Sequence, residues 1–302
     1  MRVLLIVNTT ASAVTARRRV RIQRALGADH RLEVTETSRR GHAARIARGA
    51  AYDGVDVVAV LAGDGTLNEA ADGLAGTRTA LAPLPGGSTN VFARTIGVSA
   101  DPVEATNQLV HSLERRSFLR IGIGVANGRR FLFHLGVGFD AAVIHQVERR
   151  STFKRHAAHP LFIFYAFNTW FRHYDRSIRF DIKADDEDLA TGAYVVVSNT
   201  SPYTYLGSRP LIINPHAGLD RALAITMFRD LSIGALIPAT ISALGQGRIT
   251  ERHPRIEMRS DVTRLTIAGD QEFPWQVDGD YLGLVSHLDV HYEPEALTIV
   301  LP

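Results

Sequence analysis

Apolar runs alternate with segments of helical periodicity along residues 1–117. Each run of consecutive apolar residues predicts a buried strand, and each segment with apolar positions three or four residues apart predicts a helix. This alternation is typical of a parallel sheet with helices on both faces. The predicted strands are Arg2–Val7, Leu32–Thr35, Val55–Leu61 and Ala80–Pro83, and the predicted helices are Ala13–Leu26, His42–Ala51, Leu67–Leu74, Val91–Ile96 and Pro102–Glu114.

The pattern changes near residue 118, where short strand-like runs take over. Phe118–Ala126 and Arg130–Leu135 predict a hairpin around Asn127-Gly128. Helices are predicted over residues 139–149 and 160–173. The later strand-like runs, which predict an antiparallel sheet or sandwich, are Ser177–Ala184, Gly192–Ser198, Ala222–Phe228, Arg255–Arg259, Arg264–Gly269, Trp275–Val277 and His287–Tyr292.

Two domains follow from these patterns. We expect an α/β domain with a mostly parallel sheet over residues 1–117, and a β-rich, antiparallel sandwich-like domain over residues 118–294. The last apolar run, Leu297–Leu301, fits either sheet, so that residues 295–302 are candidates to complete the first domain.

Composition narrows the class of protein. The chain has 302 residues, 45% of them hydrophobic, and a mean hydropathy of −0.01, so that it can bury a core in each domain. It has no cysteine, which excludes disulfides and thiolate metal sites. Its N-terminal apolar run and the stretch Leu161–Phe171 are too short to span a bilayer. We expect a cytoplasmic protein that can touch the inner face of a membrane.

The most informative segment is a glycine turn between a predicted strand and a predicted helix. Gly63 and Gly65 let the backbone approach a phosphate closely, and the free N–H groups of the helix start attract an anion. Asp64 between them repels phosphate unless a cation or a proton transfer is involved. The turn therefore favours phosphoryl transfer, and a purely structural tight turn is the alternative. Asn68 and Glu69 either cap the helix or bind a nucleotide.

Three further polar turns follow predicted strands. A second glycine turn carries Ser88, the segment Asn8–Ser12 follows the first strand, and Thr37 follows the second. Ligands of open α/β sheets bind beyond the carboxyl ends of the strands, where these turns are expected to meet. The sequence has neither a Walker lysine motif nor a dinucleotide fingerprint, which argues against the usual ATPases and dehydrogenases.

Two acidic segments lie in the C-terminal half. Val277–Asp280 is either a hairpin turn or the carrier of a general base. Asp220 is either a lone surface acid or a metal ligand. The histidines show no spacing typical of metal ligands.

These motifs together resemble the diacylglycerol kinase catalytic family, which includes sphingosine and ceramide kinases; the bacterial soluble lipid kinases are the most similar. The resemblance covers nearly the whole chain in the right order. The family's Gly-Gly-Asp-Gly-Thr matches Ala62–Thr66, its Asn-Glu matches Asn68-Glu69, and its Pro-x-Gly-Thr-x-Asn-x-Phe-Ala-Arg matches Pro85–Arg94. Its opening Asn loop matches Asn8–Ser12, and its Thr…Gly-His-Ala element matches Thr37 with Gly41–Ala43. Its Asp-Gly-Glu matches Asp278–Asp280, and a loop common in bacterial members matches Pro202–Gly207.

The resemblance implies an ATP-dependent lipid kinase that uses Mg²⁺, with a nucleotide-binding α/β domain and ATP in the cleft between the two domains. Asp280 is then the proton acceptor, and Asp64 lies beside the phosphates, where it acts through magnesium. Asp220 and the backbone of Leu223 match a structural magnesium site. The residues implied in nucleotide binding are Asn8, Thr9, Ser12, Thr37, Gly63, Asp64, Gly65, Thr66, Asn68, Glu69 and Ser88.

The chain departs from the family pattern at four positions. Ala62 replaces a glycine, which is harmless unless the position needs a positive φ. Ser88 replaces threonine and keeps the hydroxyl. Asp280 replaces glutamate and is one methylene shorter. Ala224 replaces an acid of the structural magnesium site.

The expected substrate is diacylglycerol or a related lipid alcohol at a membrane surface. The aromatic stretch Leu161–Phe171 either lines an acyl site or is a core helix, and the basic residues Arg149, Arg150, Lys154 and Arg155 either face an anionic membrane or form a solvated face. An NAD kinase and a nucleotide- or lipid-binding regulator without catalysis remain alternatives. We expect no nucleic acid partner, and a homodimer stays open.

Overall fold

The structure, a computed structural model, describes residues 1–149, 174–175, 177–245, 247–248 and 250–302. The chain divides into two compact units. Unit 1 comprises Met1–Ile123 and Pro294–Pro302, and unit 2 comprises Gly124–Glu293. The sequence-based boundary near residue 118 and the limit of unit 1 at Ile123 lie within the same strand, Phe118–Ala126.

Unit 1 alternates strands and helices as its hydrophobic pattern predicts. Its elements are β1 (Arg2–Val7), α1 (Ala16–Asp29), β2 (Arg31–Glu36), α2 (His42–Tyr52), β3 (Val57–Ala62), α3 (Asp64–Leu74), β4 (Ala80–Pro85), α4 (Val91–Thr95), α5 (Pro102–Glu114) and the first part of β5 (Phe118–Ala126).

The strands of unit 1 form a parallel sheet. β1 pairs with β2 on one side and with β3 on the other, and β3 pairs with β4. The C-terminal part of the last strand lies parallel to β4, with Ile299 opposite Leu81. The last apolar run of the sequence therefore completes the parallel sheet and not the antiparallel one.

Helices cover both faces of this sheet. Val3 and Leu5 share a core with Ile22 of α1 and Leu109 of α5. Leu4 is buried too, although it points to the opposite face of the strand. On that side α2 and α3 contact strands β1, β3 and β4. The doubly covered parallel sheet predicted for this half is confirmed.

The helices α2 and α3 pack at an unusually short distance because of one glycine. A Cβ atom on Gly73 of α3 would lie 2.3 Å from the carbonyl oxygen of Ala44 in α2. That distance is shorter than any real carbon–oxygen contact, so that only glycine fits without moving a helix. This close contact fixes α3, the helix that follows the glycine turn of β3.

Unit 2 is built mainly of antiparallel strands. Its elements are the end of β5, β6 (Arg129–Phe131), β7 (His134–Gly138), α6 (Phe139–Arg149), β8 (Asp181–Ala184), β9 (Glu187–Asp188), β10 (Tyr194–Ser198), β11 (Thr204–Leu206), β12 (Arg209–Leu211), β13 (Leu223–Phe228), α7 (Ile233–Leu244), a 3₁₀ turn (Thr250–Arg252), β14 (Ile256–Val262), β15 (Arg264–Val277) and β16 (Asp280–Val300), whose end belongs to unit 1.

The strand order in unit 2 is β14-β13-β10-β7-β15-β16, and each neighbouring pair is antiparallel. The apolar residues of this sheet form one core, with Val137, Val196, Ile225 and Phe273 fully or almost fully buried. The hairpin predicted at Asn127-Gly128 is present, because Ala126 pairs with Arg129 across it. The predicted combination of a parallel and an antiparallel region is confirmed.

Several element boundaries differ from the prediction. Helix α3 begins at Asp64 and not at Leu67, so that Asp64, Gly65 and Thr66 form the first helical turn. Helix α1 begins at Ala16, after Thr15, whose side chain accepts the N–H of Arg18. The runs predicted as separate strands within residues 264–277 and 287–301 are parts of the continuous strands β15 and β16.

Several elements of unit 2 were not predicted, among them α7 and the short strands β9, β11 and β12. Helix α7 contains Pro238, which normally interrupts a helix, and its sequence is apolar on every side. The strand β11 lies within the loop Pro202–Gly207, which was recognised only by resemblance, and it pairs with β12 in a short hairpin. The helix predicted over residues 160–173 lies outside the described residues.

No helix among the described residues is long and apolar enough to cross a membrane.

Two glycine-to-alanine substitutions test the close packing of α2 and α3. We expect Gly73→Ala to lower the free energy of unfolding by about 1–3 kcal/mol, since the added methyl overlaps the backbone of α2. Gly49→Ala in α2 is the matched control, because its Cβ would meet no atom within 4 Å, and it should be neutral or add about 0.5–1 kcal/mol. Urea unfolding measures both, and equal effects would contradict this packing.

Candidate active site

The candidate site of unit 1 lies at the carboxyl ends of β1, β3 and β4. The N–H of Asn8, just after β1, donates to the carbonyl of Leu61 near the end of β3 at 3.1 Å. The side-chain amide of Asn8 donates to the hydroxyl of Thr66 at 3.1 Å. Further along the same loop, the N–H of Ala13 donates to the carbonyl of Gly86 at 2.8 Å. Three turns that are far apart in sequence are thus joined by hydrogen bonds.

The two glycine turns touch through their backbones. A Cβ on Gly87 would lie 2.7 Å from the Cα of Gly63, and one on Gly86 would lie 2.7 Å from the nitrogen of Ala62. Glycine is therefore required in the second turn by close approach. Ala62 is the last residue of β3 and is not among the residues with positive φ. The replacement of the family's first glycine by alanine is accordingly harmless to the backbone.

Helix α3 starts directly from the glycine turn. Gly63 is its N-cap residue in an extended conformation (φ −86°, ψ 175°), and the N–H of Leu67 is bonded to the Gly63 carbonyl at 3.1 Å. The N–H groups of Asp64, Gly65 and Thr66 precede the first intrahelical bond, and such groups can bind an anion. Gly65 leaves open space beside them, since a Cβ there would meet no atom within 4 Å.

The carboxylate of Asp64 is bound by the backbone of another helix. Its oxygens accept the N–H groups of Val91 at 2.9 Å and Phe92 at 3.3 Å, in the first turn of α4. Burial raises the pKa of Asp64, and the hydrogen bonds from Val91 and Phe92 and the charge of Arg94 offset part of that effect. Asp64 thus connects the first turn of α3 with the start of α4, a structural contact that spacing alone did not indicate.

Glu69 has a similar connecting role. Its carboxylate accepts the N–H of Gly41 at 2.8 Å and that of Ala43 at 3.2 Å, and so caps the start of α2. Thr37 is placed by its N–H, which donates to the Val7 carbonyl at 2.9 Å. The Oδ1 atom of Asn68 is buried and has no hydrogen-bond partner, which leaves an acceptor available for a ligand.

Three other residues implied in nucleotide binding lie at the surface of unit 1. Thr9, Ser12 and Ser88 are exposed. Ser88 follows Gly87, so that it belongs to the second glycine turn, whereas Thr9 and Ser12 belong to the loop after β1. Backbone contacts bring the turns that carry these three hydroxyls together.

The acidic segment of unit 2 is a tight hairpin turn. Val277 and Asp280 are paired at the ends of β15 and β16, and Asp278 and Gly279 between them have φ values of 50° and 85°. Positive φ at both central residues is the geometry of a two-residue hairpin. The carboxylate of Asp278 accepts the N–H groups of Leu132, Phe133 and His134 at 2.7–2.9 Å. The first acid of the motif therefore fixes the turn, and Asp280 is placed just after it.

A buried network of side-chain hydrogen bonds holds this turn in place. The Oε1 atom of Gln276 accepts the N–H of Gly279 at 2.8 Å, and its Nε2 donates to Asp140 at 2.6 Å. Asp140 also accepts the hydroxyl of Tyr203 at 2.6 Å. A Cβ on Gly136 would lie 1.9 Å from the Oδ2 of Asp140, so that glycine makes room for this carboxylate. We name Gln276, Asp140 and Tyr203 the turn-support network.

Burial shapes the electrostatics of this network. It raises the pKa of Asp140, while the hydrogen bonds from Tyr203 and Gln276 offset part of the effect. The ring of His134 lies 4.1 Å from that of Tyr203, and its Nδ1 is buried without a partner. Burial lowers the pKa of His134 to about 3, so that the imidazole is neutral at physiological pH. Sequence reasoning singled out only Tyr203, as part of a loop identified by resemblance, and missed Gln276, Asp140 and His134, since nothing in the spacing connects these residues.

Two protein-family models match this chain. The model described as the diacylglycerol kinase catalytic domain matches residues 2–119. The model described as the YegS C-terminal NAD kinase beta sandwich-like domain matches residues 134–301, more than half of the chain. The chain belongs to the diacylglycerol kinase and YegS-like lipid kinase family. The resemblance seen in the motifs and the sandwich-like C-terminal fold are thereby confirmed.

Individual members of the family show how far the likeness extends. A protein named "Probable lipid kinase YegS-like" from Chromohalobacter salexigens is 35% identical over 120 residues, which are 38% of this chain and 37% of that protein. A diacylglycerol kinase from Bacillus subtilis is 34% identical over 105 residues, which are 34% and 33% of the two chains. These matches span about a third of either relative.

Longer matches are more distant. A diacylglycerol kinase from Staphylococcus saprophyticus is 24% identical over 244 residues, 78% of this chain and 76% of its own. Two crystal structures, each named as a diacylglycerol kinase from Bacillus anthracis str. Sterne, superpose on 100% of this chain and 97% of their own chains. Their TM-scores are 0.77 and 0.73, and their sequence identities are 24% and 22%. At this identity the structural likeness establishes the shared fold.

The residues of this family member do not fit a magnesium site held by protein side chains. Asp220 is exposed, Leu223 is buried at the start of β13, and Ala224, in the place of the family's second acid, offers no oxygen ligand. Among the described residues no three His, Asp or Glu side chains are grouped as metal ligands. The structural magnesium predicted at Asp220 and Leu223 therefore lacks the family's second acid, and the magnesium predicted beside Asp64 stays a prediction.

Two segments predicted to contact the lipid or the membrane lie outside the residues that the structure describes. The aromatic stretch Leu161–Phe171 and the basic residues Arg150, Lys154 and Arg155 lie outside the described part of the chain, as does the side chain of Arg149.

The pKa of His134 predicts how stability changes with pH. Its value in the folded state lies below the ordinary 6.5, so that the unfolded chain binds the proton more tightly. The contribution of neutral His134 to the free energy of unfolding is therefore fully present above pH 6.5. It is lost as the pH falls toward about 3, with a slope of up to about 1.4 kcal/mol per pH unit. Urea unfolding of the wild type and His134→Gln from about pH 7.5 to about pH 5 measures the difference.

The variant lacks this titration, so that its stability should fall less steeply with decreasing pH. A constant offset between the wild type and the variant at all pH values would contradict a depressed pKa.

Proposed function

We propose that this protein is an ATP-dependent lipid kinase, which transfers the γ-phosphate of ATP to the hydroxyl of diacylglycerol or a related lipid alcohol. The observation that carries the proposal is the contact of the two glycine turns at the start of α3, in a chain of the diacylglycerol kinase and YegS-like family. Family membership favours a kinase, and the glycine turns give phosphate a binding surface.

ATP is proposed to bind at the carboxyl ends of the parallel strands in unit 1. The N–H groups of Gly65 and Thr66 would bind its phosphates, and the empty space beside Gly65 allows their approach. The free acceptor of Asn68 suits a hydroxyl donor such as that of the ribose. The proposed nucleotide contacts also include Asn8, Thr9, Ser12, Thr37, Gly63, Glu69 and Ser88, of which Asn8 and Glu69 already hold neighbouring turns in place.

Asp64 is assigned a positioning role. Its carboxylate holds the N-terminal N–H groups of α4, the helix that follows the Ser88 turn. This bond keeps the second turn beside the first, and phosphoryl transfer depends chiefly on positioning and charge neutralisation. ATP brings its own magnesium ion as part of the substrate complex, and no step is assigned to a metal held by the protein.

Asp280 is proposed as the proton acceptor. The oxygen of the lipid hydroxyl forms a bond to the γ-phosphorus, the bond from that phosphorus to the bridging oxygen of ADP breaks, and the hydroxyl proton passes to the Asp280 carboxylate. Asp278 and the turn-support network hold the hairpin that carries Asp280, so that its backbone is set before substrate binds.

An ADP-release assay with a lipid panel tests the function. The panel contains a short-chain diacylglycerol, sphingosine, ceramide and NAD, each with magnesium ATP. We expect lipid-dependent ADP release, and Asp280→Asn should lower kcat by about 10²–10⁴-fold because the amide cannot accept the proton. Asp270→Asn is the matched control, an exposed acid of β15 outside the site, and should retain activity.

Two results would overturn the proposal. ATP-dependent conversion of NAD without lipid phosphorylation would favour the NAD kinase alternative. Binding of ATP without turnover on any lipid would favour a regulator. Asp280→Glu, which restores the family's residue, should keep kcat within about tenfold of the wild type.

Gly65→Ala tests where the phosphates bind. The new methyl group meets no protein atom within 4 Å and lies in the first turn of a helix, so that the free energy of unfolding should not fall. The same methyl projects into the proposed phosphate site, and the KM for ATP should rise about tenfold or more. Steady-state kinetics and urea unfolding give the two readouts. An unchanged KM would place the phosphates elsewhere.

A further inference from the structure

Helix α7 of unit 2 is buried on one side only. Its residues Ala235, Leu236 and Ala239 pack on the core of the antiparallel sheet, and Ser242 and Ala243 are buried as well. The helix Ile233–Leu244 contains no charged residue. A surface helix of a globular domain normally carries charged side chains on its outer face, so that the outer face of α7 requires an explanation.

That outer face consists of large aliphatic side chains. Ile233, Ile237, Ile241 and Leu244 follow one another at intervals of four, four and three residues, which places them on one side of the helix. Their exposed fractions are 56%, 54%, 56% and 39%. We call these four residues the α7 apolar face. The exposed Thr240 beside them satisfies its own hydroxyl, which donates to the Leu236 carbonyl at 2.8 Å.

Three arginines lie on segments next to the C-terminal end of α7. Arg248 and Arg252 follow the helix in sequence, and Arg209 belongs to β12, which packs against α7. The N–H of Ile212, just after β12, donates to the Ala243 carbonyl at 2.8 Å. All three arginines are exposed, and within the part of the chain that the structure describes none of them forms an ion pair.

The nearest acid in sequence does not neutralise them. Glu251, between Arg248 and Arg252, pairs with His216 at 3.2 Å. At the other end of the helix, Arg255 pairs with Asp230 and also donates to the hydroxyl of Ser232. The α7 apolar face is thus flanked at its C-terminal end by positive charge that the described residues leave uncompensated.

We propose that the α7 apolar face docks on the surface of an anionic lipid bilayer, with Arg209, Arg248 and Arg252 at the level of the headgroups. An apolar helix face with arginines at its margin is the pattern of helices that lie in a membrane interface. Each basic residue near an anionic surface adds electrostatic attraction. The inference rests on the proposed function, because a lipid kinase must reach a substrate dissolved in a bilayer, and α7 lies in the same unit as Asp280.

A second copy of this chain fits the face less well. Four half-exposed side chains supply far less than the roughly 800 Å² per partner of a stable interface. Two copies joined through this helix would also bring their uncompensated arginines toward one another or toward Arg255. Negatively charged phospholipid headgroups attract these arginines, and a bilayer does not require the contact area of a stable protein dimer.

Vesicle co-sedimentation tests the docking without requiring catalysis. The wild type should bind phosphatidylcholine vesicles that contain about a third phosphatidylglycerol, and bind pure phosphatidylcholine vesicles more weakly. Ile237→Asp with Ile241→Asp should weaken binding to the anionic vesicles by about tenfold or more, since two half-buried isoleucines are lost from the interface. Tyr52→Asp, at an exposed aromatic in unit 1, is the matched control and should bind like the wild type.

Two further variants separate apolar insertion from charge. Ile237→Lys with Ile241→Lys should also weaken binding, because lysine cannot replace the apolar contact. Arg248→Glu with Arg252→Glu should weaken binding to the anionic vesicles only. Urea unfolding confirms that each variant folds, and the kinase assay on a water-soluble short-chain diacylglycerol should show activity within about twofold of the wild type for every variant.

Three outcomes would overturn the inference. The wild type does not sediment with either vesicle, the isoleucine pairs bind as the wild type does, or the wild type is a dimer that the isoleucine variants convert to monomers. Since sedimentation does not depend on turnover, a failure of docking is distinguishable from a failure of the lipid kinase proposal, which the short-chain assay reports.

Discussion

Backbone contact between Gly63 and Gly87 is the constraint on which the candidate site of unit 1 depends. The two turns leave neighbouring parallel strands and meet so closely that a side chain on Gly87 would overlap the backbone of Gly63. The meeting places the start of α4 beside the start of α3, and the carboxylate of Asp64 then binds the N–H groups of α4. Asp64 therefore depends on the glycines for its partner, and the α4 start depends on Asp64 for its hydrogen bonds. A carboxylate that looks misplaced in a phosphate turn is explained by a neighbouring helix that the same turn brings close.

In unit 2 a carboxylate that accepts backbone N–H groups likewise fixes a hairpin turn. The turn at Asp278 and Gly279 requires positive φ at both residues, and Asp278 offsets the strain by accepting three backbone N–H groups. Gln276 satisfies the N–H of Gly279 and passes the contact on to Asp140, which is buried. A buried carboxylate is costly unless its oxygens are bonded, and here Tyr203 and Gln276 each bond one oxygen. The position of Asp280 is thus fixed by residues that do not themselves need to touch a substrate.

The sequence predicted the parts of this arrangement that depend on local pattern. Periodicity was sufficient for the strands and helices of unit 1, because a buried parallel strand is apolar throughout and its helices are amphipathic. It failed at Asp64, where a strand passes into a helix with one residue between them, and at α7, where Pro238 and the lack of a polar face conceal the helix. The hydrogen bonds of Asp64 and Glu69 and the turn-support network join residues separated by 26 to 136 positions. No spacing rule reaches that far, whereas family resemblance identified the turns without giving their contacts.

The two helices that escaped simple pattern reasoning differ in what they expose, and the difference is informative. The start of α3 is irregular because Asp64 and Gly65 follow the N-cap residue Gly63, and the carboxylate of Asp64 has a hydrogen-bonding reason within unit 1. The outer face of α7 has no such reason within unit 2, since its isoleucines are more than half exposed and none of them belongs to the buried core. Internal stability explains a buried apolar side chain, but exposing four of them lowers solubility and adds nothing to the fold. A feature that the fold does not require has to be explained by something outside it, and the uncompensated arginines beside it indicate that this is negatively charged.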